Sequence, residues 1–325
     1  MMKKVQIIPY KIVKGKIYYF LGKRRALDLW QPITGHVGDN IQNEAITEAA
    51  KREAREEIGI SQFRIFFNTK MSFIFTSGFG MRCKEYVFAA DIGEQRVKLE
   101  KAEFEKYDFF QYAQAIKKLH YRSQKRMLSK TNKLIVEKQY PKVFVISGPG
   151  ASGKETVITE VLKSTKNMVA AKTCTTRKKR PSEKANYRIF LSDKEFKERN
   201  KEGRFIETNF FNGHWYASVK SQVEKPIAQG NDAILELDIN GIKSIKNIHS
   251  NVVAIFIDVT LADLKKRFIL RGQDTPENIE NRLKIAKREM KARSVCDYVV
   301  RNKWNKLDQA VNDLMKIIKK ERNQV

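Results

Sequence analysis

Apolar positions along this chain change their spacing several times, and each change marks an element. Residues 5–10 and 16–21 are short apolar-rich runs on either side of Gly15, the pattern of two strands joined by a turn. Residues 30–38, with Pro32 and two glycines, read as loop. From 44 to 58 the strong helix formers Ala and Glu dominate, and Gly59 stands where a helix C-cap would end them. Strand-like runs return at 63–67, 72–76 and 85–89, followed by a helical segment at 112–120. Between 122 and 138, Met127, Leu128, Leu134 and Ile135 fall on one helical stripe among Lys and Arg. A stripe of that kind needs something apolar beneath it, so we expect a helix closing a first domain; a nucleic-acid-facing surface is the alternative.

Past a boundary near 139–141 strand runs alternate with helical ones. Strand runs at 143–147, 233–238 and 252–258 are interleaved with helical runs at 155–163, 261–270, 275–292 and 307–320. This is the pattern of a parallel α/β sheet. The expectation is two α/β domains, 1–138 and 139–325, which 325 residues accommodate.

Composition narrows the classes. The three cysteines (Cys83, Cys174, Cys296) are far apart, against a disulfide framework and in keeping with a reducing cytosol, so a cytoplasmic location is expected. The N-terminus lacks the apolar core of a signal peptide, and there is no uncharged apolar stretch of about 18 residues to span a membrane. A formal charge of +27 suits polyanionic partners. Nucleotides satisfy it, and nucleic acid is compatible but not required. Because Lys is spread through nearly every segment, charge alone decides little. The histidines (His36, His120, His214, His249) form no sequence cluster and are given no role.

Two motifs carry the chemistry. Residues 148–156 read Gly-Pro-Gly-Ala-Ser-Gly-Lys-Glu-Thr directly after the apolar run 143–146. A strand, a glycine-rich turn and a helix in that order let backbone N–H groups converge on phosphate, with a lysine reaching the β/γ oxygens. Gly148, Gly150, Ser152, Gly153, Lys154 and Thr156 are therefore the candidate ATP-binding set. Glu155 stands where a Ser or Thr would contact Mg²⁺. Residues 38–60 satisfy G-x5-E-x7-R-E-U-x-E-E-x-G-U, with U hydrophobic, through Gly38, Glu44, Arg52, Glu53, Glu56, Glu57 and Gly59. Glu53, Glu56 and Glu57 at i, i+3 and i+4 share a helix face whose mutual repulsion a hard cation such as Mg²⁺ would relieve.

Further motifs follow the first: Thr175-Thr176-Arg177-Lys178-Lys179-Arg180-Pro181, then Tyr187, then Phe205-Ile206-Glu207, then Trp215-Tyr216-Ala217-Ser218, then Glu236-Leu237-Asp238-Ile239-Asn240-Gly241. With these, residues 142–320 resemble guanylate kinase, a P-loop nucleotide-kinase fold with a parallel sheet, a lid and a GMP-binding subdomain. The resemblance implies transfer of phosphate from the co-substrate ATP to GMP. It implies that Arg177, Arg180, Tyr187 and Tyr216 hold the GMP phosphate, while Thr173, Glu207, Ser218 and Asp238 read guanine. Arg267, Arg271 and Arg282 match the family's lid arginines and, with Lys154, form the implied catalytic set. Departures are Glu155, Ala217 for Gly, Glu236 for Asp and Asn240 for Gln. Related folds also occur as non-catalytic binding modules.

The second motif resembles the Nudix box, over roughly residues 3–138. That resemblance implies an α/β/α sandwich with a mixed sheet, Mg²⁺ on Glu53, Glu56 and Glu57, and hydrolysis of a nucleoside diphosphate-linked substrate, with RNA 5′ ends as an alternative. Glu103, outside the box, is the candidate general base, and Glu105 its rival. Thr34-Gly35 precedes Glu44 by about three residues more than the family's usual spacing, so either Gly38 or Gly35 is the structural glycine.

Overall fold

A computed structural model describes residues 1–39, 41–179, 188–211, 213–272 and 275–322. They form two units, one built on Met1–Tyr140 and the other on Pro141–Pro226 with the chain from Asn231 onward. Among the described residues no helix is long and apolar enough to cross a membrane.

The first unit is organised by the strand Met2–Val13. It pairs antiparallel with Lys16–Arg24 and with Ile33–His36, and parallel with Arg82–Asp91. Leu29–Gln31 and Phe104–Gln111 flank Lys16–Arg24, while Ile65–Thr76 lies outside Arg82–Asp91. The result is a mixed seven-stranded sheet. Val5 and Ile7, two residues apart and so on one face, join Ala49, Ala50 and Ile58 of the helix Ile46–Ile58 in one core. Alanines on the buried face let this helix approach the sheet closely, and it ends at Gly59 in a left-handed conformation (φ 69°). The helix Arg122–Val136 buries Met127, Leu128 and Ile135, so the apolar stripe is packed.

Two expectations change. Residues 30–38 are not all loop, because the backbone of Ile33–His36 finds partners along Lys4–Ile7. The runs 63–67 and 72–76 are one strand, interrupted by a register shift between Asn68 and Ser72, with Lys70 at φ 60°. Propensity marked the interruption but could not show that pairing continues across it.

The second unit holds an all-parallel five-stranded sheet in the order Tyr298–Arg301, Val252–Asp258, Val143–Ser147, Asp232–Glu236, Met168–Ala170. Every residue of Val143–Ser147 is buried, as a central strand covered on both faces requires. The helices Lys154–Lys163 and Leu307–Arg322 pack there through Val157, Val161, Leu314 and Ile318. A smaller four-stranded sheet, Arg188–Phe190, Thr173–Thr175, His214–Val219, Phe205–Phe211, stands apart in the pairing. Leu264 and Phe268 of the helix Leu261–Arg271 pack against Ile279 and Ala286 of Pro276–Lys291. The three-residue strands were missed in the sequence because so short a run carries almost no periodicity, and the longer Phe205–Phe211 and His214–Val219 and the short Tyr298–Arg301 were missed as well.

Glu85 generates a prediction. It lies opposite Lys4 in the first sheet at 4% exposure, and burial pushes its carboxyl from 4.5 up to about 7, with Lys4 opposing. The raised folded value means stability is greatest while the group is protonated and falls as pH rises toward 7. Between pH 4.5 and 7.5 the loss should reach about 3 kcal/mol, and Glu85→Gln should abolish that part of the slope. Denaturant titrations at both pH values read it; parallel slopes for the two proteins refute the assignment.

Candidate functional site

The chain leaves the buried strand Val143–Ser147 through a loop whose backbone few residues besides glycine can follow. Gly148 has φ 139°, and a Cβ there would stand 2.5 Å from the Ile257 carbonyl oxygen. Gly153, at φ 89°, caps the helix Lys154–Lys163, and a Cβ would stand 2.5 Å from Asn302 Nδ2. The loop carbonyls are held by side-chain donors. Arg267 Nη1 donates to Ala151 O at 3.2 Å and Ser152 O at 2.7 Å, and Asn302 Nδ2 donates to Ser152 O at 2.7 Å. Lys154 Nζ donates to Gly148 O at 2.7 Å and Pro149 O at 3.0 Å, and lies 3.3 Å from Glu236 Oε1.

This loop opens on a cleft of about 1440 Å³. Gly148, Gly150, Gly153, Lys154 and Thr156 line it from the sheet side; Thr173, Arg177, Glu207, Tyr216 and Asp238 line it from the smaller sheet and the strand ends; Arg271 and Arg282 line it from the helices Leu261–Arg271 and Pro276–Lys291. The smaller sheet sets part of this by register, because Ser218 is opposite both Thr173 and Glu207. Ser218 Oγ donates to Glu207 Oε1 at 2.9 Å, and burial raises the Glu207 pKa. Asp238 accepts from Asn209 Nδ2 and from the Gly241 N–H, both at 2.7 Å, the second capping the helix Ile239–Ile248.

Three expected residues stand elsewhere. Ser152 is fully buried, with its hydroxyl unbonded. Arg267 braces the loop from behind, its Nη2 also donating to Asn302 O at 2.8 Å. Ser218 sits behind Glu207 at 0% exposure. Arg180 and Tyr187 lie outside the described residues. The cleft also gathers residues that sequence reasoning gave no role: Arg188, Asn209, His214 and Glu289. Glu289 accepts the Gly150 N–H, and burial raises its pKa. It stands about two helical turns beyond Arg282 on the helix Pro276–Lys291, outside the motif residues, and left no local signal.

In the first unit the helix Ile46–Ile58 presents its carboxylates to two arginines. Arg52 Nη1 donates to Glu53 Oε1 and Glu56 Oε2, each at 2.9 Å; its Nε donates to Glu44 Oε1 at 2.9 Å and its Nη2 to the His36 carbonyl at 2.8 Å. Arg24 Nη2 donates to Glu57 Oε1 at 2.9 Å, and its Nη1 is paired with Glu103, the candidate base. Glu105 is instead 3.4 Å from Lys23. Burial drives the Glu57 carboxyl up to about 8 against the pull of Arg24, and raises Glu53 as well. Both glycines have a purpose: a Cβ on Gly35 would fall on the Glu53 carboxylate, while Gly38, at φ 88°, turns its N–H toward Glu44 Oε2 at 2.9 Å.

Among the described residues no three His, Cys, Asp or Glu side chains converge as a finished metal cage. The donor set nonetheless suits a hard cation. Glu57 Oε2 is buried without a hydrogen-bond partner, and the Glu56 side chain is 54% exposed beside it on the helix face.

A family model described as Guanylate kinase matches residues 140–321, and one described as NUDIX domain matches 13–130. The guanylate kinase of Thermotoga maritima is 38% identical over 186 residues, 56% of this chain and 88% of that protein. That of a Polaromonas species is 36% identical over 186 residues, 56% of this chain and 89% of that protein. Among solved structures, guanylate kinase from Anaplasma phagocytophilum is 24% identical, covering 57% of this chain and 87% of its own, with a TM-score of 0.46. An Ap4A hydrolase from C. elegans is 22% identical, covering 42% and 98%, with a TM-score of 0.37.

Gly153→Ala should lower stability by about 2 kcal/mol, through left-handed backbone strain and the collision with Asn302. Gly150→Ala, where an added Cβ meets nothing within 4 Å, should be near neutral. Denaturant midpoints of the two variants check this, and equal midpoints would rule it out.

Proposed function

We infer, for a chain that belongs to the guanylate kinase family through residues 140–321 and carries a NUDIX domain over residues 13–130, that each unit performs its own nucleotide chemistry. In the second unit the γ-phosphoryl of ATP passes to GMP or dGMP, giving ADP and the guanosine diphosphate. The observation that supports this best is a single cleft lined by the glycine loop with Lys154, by Arg177, Arg271 and Arg282, and by Glu207. It offers cationic groups for two sets of phosphates and a carboxylate for a base edge.

The roles are those the family resemblance implies, and charge and hydrogen-bond complementarity support them. Lys154 releases its loop carbonyls to take the β/γ oxygens, and the loop N–H groups cradle the rest. Arg177, with Arg180, Tyr187 and Tyr216, holds the acceptor phosphate, whose oxygen attacks the γ phosphorus while ADP leaves with the bonding pair. Arg271 and Arg282 neutralise charge growing on the equatorial oxygens. Arg267 acts through the loop it braces. Glu207 accepts the N1–H and N2–H₂ donors of guanine; adenine would face it with an acceptor, at about 1–3 kcal/mol per unpaired group.

In the first unit a substrate with a nucleoside diphosphate linked to another group is hydrolysed. Mg²⁺ would be held by Glu53, Glu56 and Glu57 and, once bound, would polarise phosphate and acidify water. Arg52 orients Glu53 and Glu56, Arg24 orients Glu57, and Glu103, tied to the same Arg24, takes the proton.

Two assays separate the units. Lys154→Ala should cut GDP formation from ATP and GMP at least about 100-fold while leaving hydrolysis by the first unit unchanged; intact GDP formation ends the kinase reading, and a wild type without turnover makes this half a binding module. Glu57→Gln should do the converse across a panel of nucleoside triphosphates, sugar nucleotides and capped RNA, read as released phosphate or pyrophosphate. A wild type inert toward the whole panel ends the hydrolase reading.

A further inference from the structure

The carboxylate that follows the loop lysine has a partner across the cleft. Arg188 opens the strand Arg188–Phe190 and lies opposite Thr173 in the smaller sheet, on the acceptor side. Its Nη2 donates to Glu155 Oε1, on the donor side, at 3.2 Å. The same nitrogen is 3.7 Å from Glu236 Oε2, and Glu236 Oε1 is 3.3 Å from Lys154 Nζ. Lys154, Glu155, Arg188 and Glu236 all line the cleft. They make a row of alternating charge running from the glycine loop to the strand that faces the acceptor.

Glu155 lies in the first turn of its helix, where the N-terminal dipole favours a carboxylate. Uncompensated, it would repel the polyphosphate that Lys154 attracts. Arg188 removes that repulsion, and its position does more. The side chain is anchored on the acceptor strand and its head lies against the donor loop's helix, so the guanidinium stands where the two phosphate groups would meet. A guanidinium fork also matches phosphate oxygens better than a point charge does.

We propose that Arg188 is a further phosphate-binding residue of the second unit, trading its carboxylate partners for the oxygens of the phosphoryl group in transfer, with Glu155 as its resting partner. This rests on the phosphotransfer reading above. No bond to the protein is made or broken; the guanidinium only changes counter-ion. Because the charge it meets is greatest in the transition state, its removal is felt in kcat more than in KM.

The test uses the full chain in five forms: wild type, Arg188→Ala, Arg188→Lys, Glu155→Thr, and the double variant Glu155→Thr/Arg188→Ala, each checked for an unchanged melting profile. Kinetics with ATP and GMP should show kcat about 100-fold lower in Arg188→Ala, with both KM values within about threefold, little recovery in Arg188→Lys, and none in the double variant. Calorimetry with an adenosine–guanosine pentaphosphate, whose bridging phosphates span both half-sites, gives a readout independent of turnover. Its affinity should fall at least about tenfold in Arg188→Ala while affinity for ATP alone changes little. Wild-type kcat in Arg188→Ala, or kcat restored in the double variant, overturns the proposal, since Arg188 would then be absent from the reaction or no more than a counter-charge to Glu155. A wild type that neither phosphorylates GMP nor binds the pentaphosphate fails one step earlier, taking the phosphotransfer reading and Arg188 down together.

Discussion

The second unit depends on how the carbonyls of one loop are held. Between Gly148 and Ser152, four carbonyl oxygens accept side-chain donors: Gly148 and Pro149 from Lys154, Ala151 and Ser152 from Arg267, and Ser152 also from Asn302. Fixing carbonyls fixes the peptide planes, and a peptide whose oxygen is tied on one side turns its N–H toward the other. A loop of this shape therefore needs donors that hold its carbonyls as well as glycines within it. Two of the three donors, Lys154 and Arg267, are cationic, so they add positive potential at the loop.

The first unit solves the opposite electrostatic problem. Glu44, Glu53, Glu56 and Glu57 crowd one short stretch of structure, and two arginines divide them: Arg52 takes three and Arg24 takes Glu57 together with Glu103. The division is incomplete. One Glu57 oxygen stays buried and unbonded, and burial pushes its carboxyl up to about 8, so the fold carries a polar group that it leaves unsatisfied. Gly35 belongs to the same arrangement, because only a residue without a side chain lets the strand Ile33–His36 lie under Glu53.

Contiguous motifs were readable and scattered supports were not. Gly59 ends its helix in the left-handed conformation that its position after an Ala- and Glu-rich run suggested. The apolar stripe of 122–138 is packed, as a stripe needing a partner should be. Arg267 read as one more lid arginine, yet its guanidinium faces backbone carbonyls. Asn302 carried no signal, since an asparagine after a short strand is common and its partner Ser152 is 150 residues away.

From the amino-acid order alone came what depends on neighbours within a turn or a strand: the glycine loop between strand and helix, the three glutamates on one helical face, the spacing of the arginines, and the two-part α/β layout. These follow from local periodicity, which needs no knowledge of the fold. What only the tertiary structure decided was which groups meet. Arg188 with Glu155, Arg24 with both Glu57 and Glu103, and Asn302 against Gly153 are distant along the chain. Strand order and the packing of helices and loops on the sheets bring them together, because a folded chain positions side chains by which elements lie side by side and not by their distance along the sequence.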